Sequence, residues 1–437
     1  MCGFAVAVGW PEAARTVGRL IAGIVHRGDV TDPVATPAPD VAMCTRRLCI
    51  VDRDHAEQPQ ASFDGSLLVS FNGEIYNYAA LRRELEAIGV RFRTASDTEV
   101  LANALRVWGY KAVERLSGMY AFVAYDLKSG EFLAARDPFG IKPLYVLQAP
   151  DGGFLFCSEI RPLLAAVEKL DVLLLPPGYL LTKEYCVRSK SLVPKPVPPW
   201  QKHDPKALDG ILAEAVASHL PPDLPFALLF SGGIDSTLIA HYARRLRPEA
   251  PGYFVGETTA PDYPFAAAYA ETTGFDLRRV AFDPESDAVF DGLSEAVAVS
   301  ESFEPNLIRG AVCSLAAAKR IHADGFRVAL CGEGADELFC GYGVLAKAFR
   351  DGGDDARPVR EDCLSMMHRI SLQRVDRCSM AHQVETRVPF LDPSVANYAL
   401  NLEASALVHG PDGAFVDKAP LRGLYDLYPR ELPRLIR

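Results

Sequence analysis

A chain of 437 residues is too long for one ordinary hydrophobic core, so two or three domains are expected. A formal charge of -10 disfavours nonspecific nucleic-acid binding, and no tract approaches the ~18 uninterrupted apolar residues of a membrane span. The start, MCGFAVAVGW, has no basic segment ahead of its short apolar run, which predicts a cytoplasmic protein. In chain order, the apolar or alternating runs SLLVSF (66–71), MYAFVAYD (119–126) and EFLAAR (131–136) predict strands, the last two joined as a hairpin across Leu127-Lys128-Ser129-Gly130. Helices are predicted over Tyr78–Ile88 and Asp97–Val107, so the first half reads as α+β with antiparallel strands. Four prolines in SLVPKPVPPW (191–200) mark a linker, giving expected domains 1–190 and 204–437 around a connection at 191–203. Beyond it, PFALLF (225–230), GYFV (252–255) and FRVALC (326–331) each border long helical stretches, which predicts an α/β domain with a parallel sheet. DGGDDARPVR (351–360) reads as an exposed flexible loop.

Ten cysteines are scattered with no CxxC pair, so reduced and mostly buried thiols are expected rather than a zinc site. Cys2 stands apart. Removal of Met1 would leave it with a thiol, ordinarily near pKa ~8.5, beside its own α-amine near ~7.7–8.0, a nucleophile and base on one residue. RRLCIVD (46–52), FNGEIYN (71–77) and SDTEV (96–100) supply what a glutamine amide hydrolase needs. An arginine fork clamps an α-carboxylate, carboxylates hold an α-ammonium, and Asn72 with Gly73 offers an amide and a flexible N–H to an oxyanion. Singly, Asn-Gly is more often a turn and Arg47 a surface ion-pair partner. SGGIDS (231–236) follows a predicted strand and opens a helix, so successive N–H groups and the helix dipole form an anion nest suited to pyrophosphate. The Lys-Ser/Thr ending of a Walker loop is absent.

MCGF, HRG (26–28), RLCIVD, FNGEIYN, SDTEV, RDPFGIKPLY (136–145) and SEI (158–160) together resemble the class II glutamine amidotransferase domain of asparagine synthetases. The resemblance implies an Ntn-hydrolase αββα sandwich with Cys2 as nucleophile, Asn72 and Gly73 as oxyanion hole, and Arg47, Glu74 and Asp97 as glutamine ligands. Asp29-Val30 replaces the usual Pro-Asp after His-Arg-Gly. SGGIDS resembles the PP-loop of ATP pyrophosphatases, and CGEGADE (331–337) resembles the synthetases' SGEGSDE. These imply ATP contacts at Ser231, Gly232, Gly233, Asp235, Ser236, Val255 and Gly332, with Mg²⁺ on Asp235 and Asp336. Cys331 replaces the usual serine. Glu333 stands where related ring-closing synthetases carry a tyrosine, and implies amide formation. ESFEPNLIRG (301–310), VETRVPFLD (384–392) and VDKAPLR (416–422) resemble substrate-lining, core and lysine-bearing segments, so Lys418 is a catalytic candidate and Glu301 a candidate for substrate orientation.

The implied activity joins the halves. Ammonia from glutamine passes through an intramolecular tunnel to a carboxylate activated as an acyl-adenylate, most simply aspartate. The implied partners are glutamine, ATP and a small carboxylate acceptor, without nucleic acid or membrane, and a homodimer stays open. Pro305, Asn306 and Leu307 depart from the family's small or Thr-rich pocket sequence, and the chain stops where the family continues through a basic loop and helical tail. A specialised amidotransferase acting on another carboxylate is therefore a second expectation. A plain glutaminase and a non-catalytic glutamine or nucleotide sensor are further alternatives.

Overall fold

Period-two alternation along single strands sets the layers of the amino-terminal half. In the strand Cys2–Val8, Phe4 and Val6 point into a core shared with Ala121, Val123 and Tyr125 of the strand Gly118–Asp126. Ala5 and Ala7 point the other way, against Val17, Leu20 and Ile21 of the helix Ala13–Ala22. Tyr120 and Phe122 likewise face Leu81 and Leu101 on the helices Tyr78–Ala87 and Asp97–Trp108. The result is helix, sheet, sheet, helix, the αββα sandwich expected. The computed structural model describes residues 2–167, 171–188, 197–282, 288–410 and 412–432.

The first sheet runs Val172–Leu174, Tyr145–Gln148, Phe154–Cys157, Cys2–Val8, Val41–Arg47 and Val30–Thr31, with Ala35–Ala38 also paired to Val41–Arg47. The second runs Cys186–Arg188, Tyr179–Leu181, Phe132–Arg136, Gly118–Asp126, Leu67–Ile75 and Gln60–Ala61. All described pairings in both sheets are antiparallel. The predicted hairpin is present, its turn held by Lys128 and Ser129 N–H groups donating to Asp126 Oδ1. Within RDPFGIKPLY, Arg136 is buried yet satisfied by the carbonyls of Gly140, Lys142 and Leu175, and Asp137 accepts from the N–H groups of Phe139, Ile141 and Lys142. This motif holds a loop in shape.

The chain divides into two units, Met1–Val193 with Met380–Gln383, and Pro194–Ser379 with Val384–Arg437. Part of the predicted linker, 191–196, lies outside the described residues. From Val197 onward the chain is tied into the second unit: the Val197 N–H donates to Asn401 Oδ1 at 2.8 Å and the Arg357 guanidinium lies 3.5 Å over the Trp200 ring.

The second unit is built on a parallel sheet ordered Leu277–Val280, Gly252–Val255, Ala227–Leu229, Val328–Leu330 and Glu385–Arg387. Strand order runs outward in opposite directions from the pair Ala227–Leu229 and Val328–Leu330. That reversal is a topological switch point, where the loops after the two strands diverge and leave a crevice at their carboxyl ends. SGGIDS and CGEGADE are those loops. Two strands escape the sequence pattern, Leu277–Val280 (LRRV) and Glu385–Arg387 (ETR), because their charged residues mask any apolar run. Glu385 and Arg387 are fully buried and satisfy one another at 2.6 Å.

The reading of 351–360 as a flexible loop is overturned. Residues Gly343–Gly352, Gly353–Ala356 and Arg357–Met366 are helical, with Pro358 in the first turn. Arg357 and Arg360 are buried, donating to the carbonyls of Leu400, Leu402 and Ala399. Composition counted these arginines as solvated, whereas they tie the helix to the end of Pro393–Leu400. Among the described residues no helix is long and apolar enough to cross a membrane.

His219, which ends the helix Pro205–His219, is wholly buried with Nδ1 bonded to the Ala215 carbonyl at 2.7 Å. Burial, against that hydrogen bond, lowers it to about 3 from an ordinary 6.5. The unfolded chain therefore binds a proton that the fold refuses. The resulting stability is complete above pH 6.5 and is lost as pH falls from there toward 3. This group alone should cost about 1.4 kcal/mol per pH unit in that window. Urea unfolding of the second unit on the acid side should show this slope, and His219→Gln should flatten it.

Candidate active sites

The first site is made by three strands and a helix start. Cys2 opens its strand directly opposite Arg47, and its nitrogen donates to Asn72 Oδ1 at 3.0 Å. Asn72 is fully buried, and its Nδ2 has no protein partner among the described residues. A buried donor left open is costly unless something fills it, so Nδ2 is available to an oxyanion. Gly73 follows at φ +155, where an added Cβ would lie 2.0 Å from the Met119 carbonyl oxygen; only glycine fits. Cys2, Arg47, Gly73, Glu74 and Asp97 line one small cleft that opens to solvent, together with Cys49 and Thr98. Thus the predicted glutaminase residues come together.

Three positioning residues were not singled out from the sequence. Arg27 is fully buried and donates from Nε to the Cys2 carbonyl at 3.2 Å and from Nη1 to Glu159 at 3.0 Å. The HRG and SEI motifs therefore meet, and Ser158 also accepts from the Phe4 N–H. Asp32, also buried, takes Arg47 Nε on both carboxylate oxygens at 3.0 Å and the Gln58 N–H at 3.0 Å. Burial raises the Asp32 carboxyl above its ordinary range, against the pull of the Gln58 N–H and Arg47. Gln58 Oε1 in turn accepts from the Phe71 N–H, next to Asn72. Asp97 sits in the first turn of its helix, which Ser96 caps through the Thr98 N–H, and its Oδ2 accepts from the Ile75 N–H at 3.1 Å.

The second site occupies the switch point. Gly232 has φ +82, and an added Cβ would sit 2.5 Å from the Ala266 nitrogen; the loop turns through a conformation that glycine alone supplies here. Ser236 Oγ accepts from the Ser231 N–H at 3.2 Å, closing the loop on the first turn of Ile234–Leu246. From the neighbouring loop, Gly332 lies against Asp235, with an added Cβ only 2.8 Å from Asp235 Cβ. Val255 ends the adjacent strand Gly252–Val255, and Cys331 is buried. Asp235 and Asp336 converge on Lys418, whose Nζ lies 2.5 Å from one carboxylate and 2.7 Å from the other. Burial raises Asp235, aided by Asp336 and opposed by Lys418. For Lys418, burial works downward, but the two aspartates outweigh it and hold the ammonium above its ordinary value.

Glu333 is ion-paired to Arg374, which no motif had marked; Gly310 lets this arginine pack closely, since a Cβ there would meet Nη1 at 2.4 Å. Glu301 is not presented for substrate orientation. Its carboxylate is nearly inaccessible and pairs at 2.9 Å with the buried Arg377. Leu307 is core, while Pro305 is the first residue of the helix Pro305–Ala323, capped by Glu304 through the Asn306 N–H. Among the described residues no group of three or more His, Cys, Asp or Glu side chains could alone hold a metal.

Residues 1–176 match the glutamine amidotransferase domain model, and 207–357 with 352–432 match that of asparagine synthase, more than half of the chain. The glutamine-hydrolysing asparagine synthetase of Triphysaria versicolor is 30% identical over 98% of this chain and 74% of its own. Asparagine synthetase 3 of Arabidopsis thaliana, also glutamine-hydrolysing, is 31% identical over 89% and 68% respectively. The chain belongs to the asparagine synthetase family. Among solved structures, a glutamine phosphoribosylpyrophosphate amidotransferase from B. subtilis aligns with TM-score 0.38 at 18% identity, over 66% of this chain and 70% of that one.

For this family member, Asp32→Ala should leave the Arg47 guanidinium buried without its counter-charge. We expect the first unit to lose roughly 3–5 kcal/mol of unfolding free energy, read by denaturant titration. On the reading of Arg47 as the clamp for the glutamine α-carboxylate, glutamine KM should also rise by about tenfold, because a bidentate clamp depends on the fork's orientation.

Proposed function

We propose that the protein is a glutamine-dependent, ATP-dependent amidotransferase that converts aspartate to asparagine, releasing glutamate, AMP and pyrophosphate. The observation that carries this reading is the presence in one chain of both the Cys2–Asn72–Gly73 arrangement and the Asp235–Asp336–Lys418 cluster at a switch point. Either alone would fit a hydrolase or a nucleotide binder.

With Met1 removed, the α-amine takes the thiol proton of Cys2 and the sulfur attacks the glutamine amide carbon. Asn72 Nδ2 and the Gly73 N–H receive the oxyanion, while Arg47 holds the α-carboxylate and Glu74 and Asp97 the α-ammonium. The C–N bond breaks, ammonia departs with the proton, and water cleaves the thioester to glutamate. At the second site the acceptor carboxylate attacks the α-phosphorus of ATP and pyrophosphate leaves, held by the N–H groups of 231–236. Ammonia then attacks the acyl carbon, AMP departs, and Glu333 takes the nitrogen's proton. Lys418 stabilises the negative charge that develops.

Mg²⁺ fits Asp235 and Asp336, because Asp235 Oδ1 is buried with no hydrogen-bond partner among the described residues. Two carboxylates plus phosphate oxygens are the donor set this ion prefers, and it would neutralise charge on the polyphosphate.

A pyrophosphate-release assay with glutamine, ATP and Mg²⁺ across carboxylates tests the acceptor. Signal with aspartate and formation of asparagine are expected. Silence with aspartate and signal with another carboxylate would sink the asparagine assignment.

A further inference from the structure

We propose that in the nucleotide-free protein the Lys418 ammonium occupies the position between Asp235 and Asp336 that a divalent cation takes on nucleotide binding, so that lysine and metal exclude one another there. The proposal rests on reading these two aspartates as the metal-holding pair, and it adds a role for the lysine before any chemistry begins.

The geometry is that of a bridge. Nζ is 2.5 Å from Asp235 Oδ2 and 2.7 Å from Asp336 Oδ1, both within charge-assisted hydrogen-bond distance. Two carboxylates and one ammonium leave a single negative charge, and a dication in the same seat would neutralise the pair. A dication and an ammonium cannot both lie at bonding distance from the same oxygens, since at that separation their mutual repulsion is strong and the two would occupy the same space. The seat is also shaped to the lysine. An added Cβ on Gly341 would fall 2.0 Å from Asp336 Oδ1 and 2.1 Å from Lys418 Cε, so the backbone closes around the ion pair. Asp235 Oδ1 remains without a partner in the lysine-filled arrangement, so the ammonium leaves one buried acceptor unused.

Lys418 is equipped to leave. It stands at φ +49, immediately before the helix Ala419–Tyr425, and carries its charge on a flexible four-carbon stem. Such a side chain can swing away while its backbone stays fixed. Arrival of the metal with the triphosphate therefore sets the ammonium free in the same event that brings the phosphates it is to meet. Until then it neutralises two carboxylates that would otherwise repel.

The test uses the full chain without nucleotide or acceptor, titrated with Mn²⁺ and read by the paramagnetic resonance of the free ion. Lys418→Met and Lys418→Gln should bind Mn²⁺ about tenfold more tightly than the native chain or better, since a competing cation is gone. Equal or weaker binding in both variants overturns the proposal. Adding Asp336→Asn to Lys418→Met should abolish the gain, and survival of the gain would place the metal elsewhere and also overturn it. No turnover is involved, so failure of the aspartate assignment would leave this result intact.

Discussion

Cys2→Ala is expected to reduce glutamine-dependent amidation by about three orders of magnitude or more while leaving ammonia-dependent amidation within about twofold. The thiol is the nucleophile in the proposed first half-reaction, and no other group in its cleft combines nucleophilicity with an adjacent amine. Cys49 lines the same cleft, but burial raises its thiol above the ordinary value, so it is a poor substitute. Alanine preserves the nitrogen that donates to Asn72 and the carbonyl that receives Arg27, so the strand should keep its place. Ammonia supplied from solution bypasses only the sulfur chemistry. Product formation from both donors should be followed side by side; loss of the ammonia reaction as well would show that the proposed division of labour is wrong.

Asp235→Ala should have the opposite pattern, with pyrophosphate release falling about a thousandfold with either nitrogen donor while glutamate continues to appear. Two effects act together. The variant removes one of the carboxylates proposed to hold the metal, and it releases Lys418 from its 2.5 Å contact. Because the chemistry of Cys2 uses neither group, glutamine should still be cleaved, and the ratio of glutamate to pyrophosphate should climb steeply. Pyrophosphate release within about tenfold of native would remove Asp235 from the adenylating machinery.

What the sequence revealed depended on distance along the chain. Cys2, FNGEIYN, SDTEV and SGGIDS were readable because each packs its functional atoms into a few consecutive residues on a strand end or helix start. Arg27 and Asp32 were not, because their work is done across strands: Asp32 follows the edge strand Val30–Thr31, which pairs with Arg46 and Arg47. Nothing local distinguishes it from a solvated loop acid. Arg374 stayed hidden for the same reason, 41 residues from the carboxylate it meets. Charge also concealed structure. LRRV and ETR lack an apolar run yet form strands, and DGGDDARPVR forms helix, because buried arginines there find carbonyls and carboxylates that composition cannot reveal.

The order in which the second sheet is filled has a consequence for the chain as it is synthesised. Its central strand, Ala227–Leu229, waits for a neighbour at Val328–Leu330, and the cluster on that seam is completed only by Lys418. Contacts of such sequence separation form late, and domains emerging first from the ribosome fold first. The residues proposed to liberate ammonia all lie within the first 97 positions, whereas those proposed to capture it are complete only near the carboxyl end. A nascent or prematurely ended chain would thus be a hydrolase before it could be a ligase.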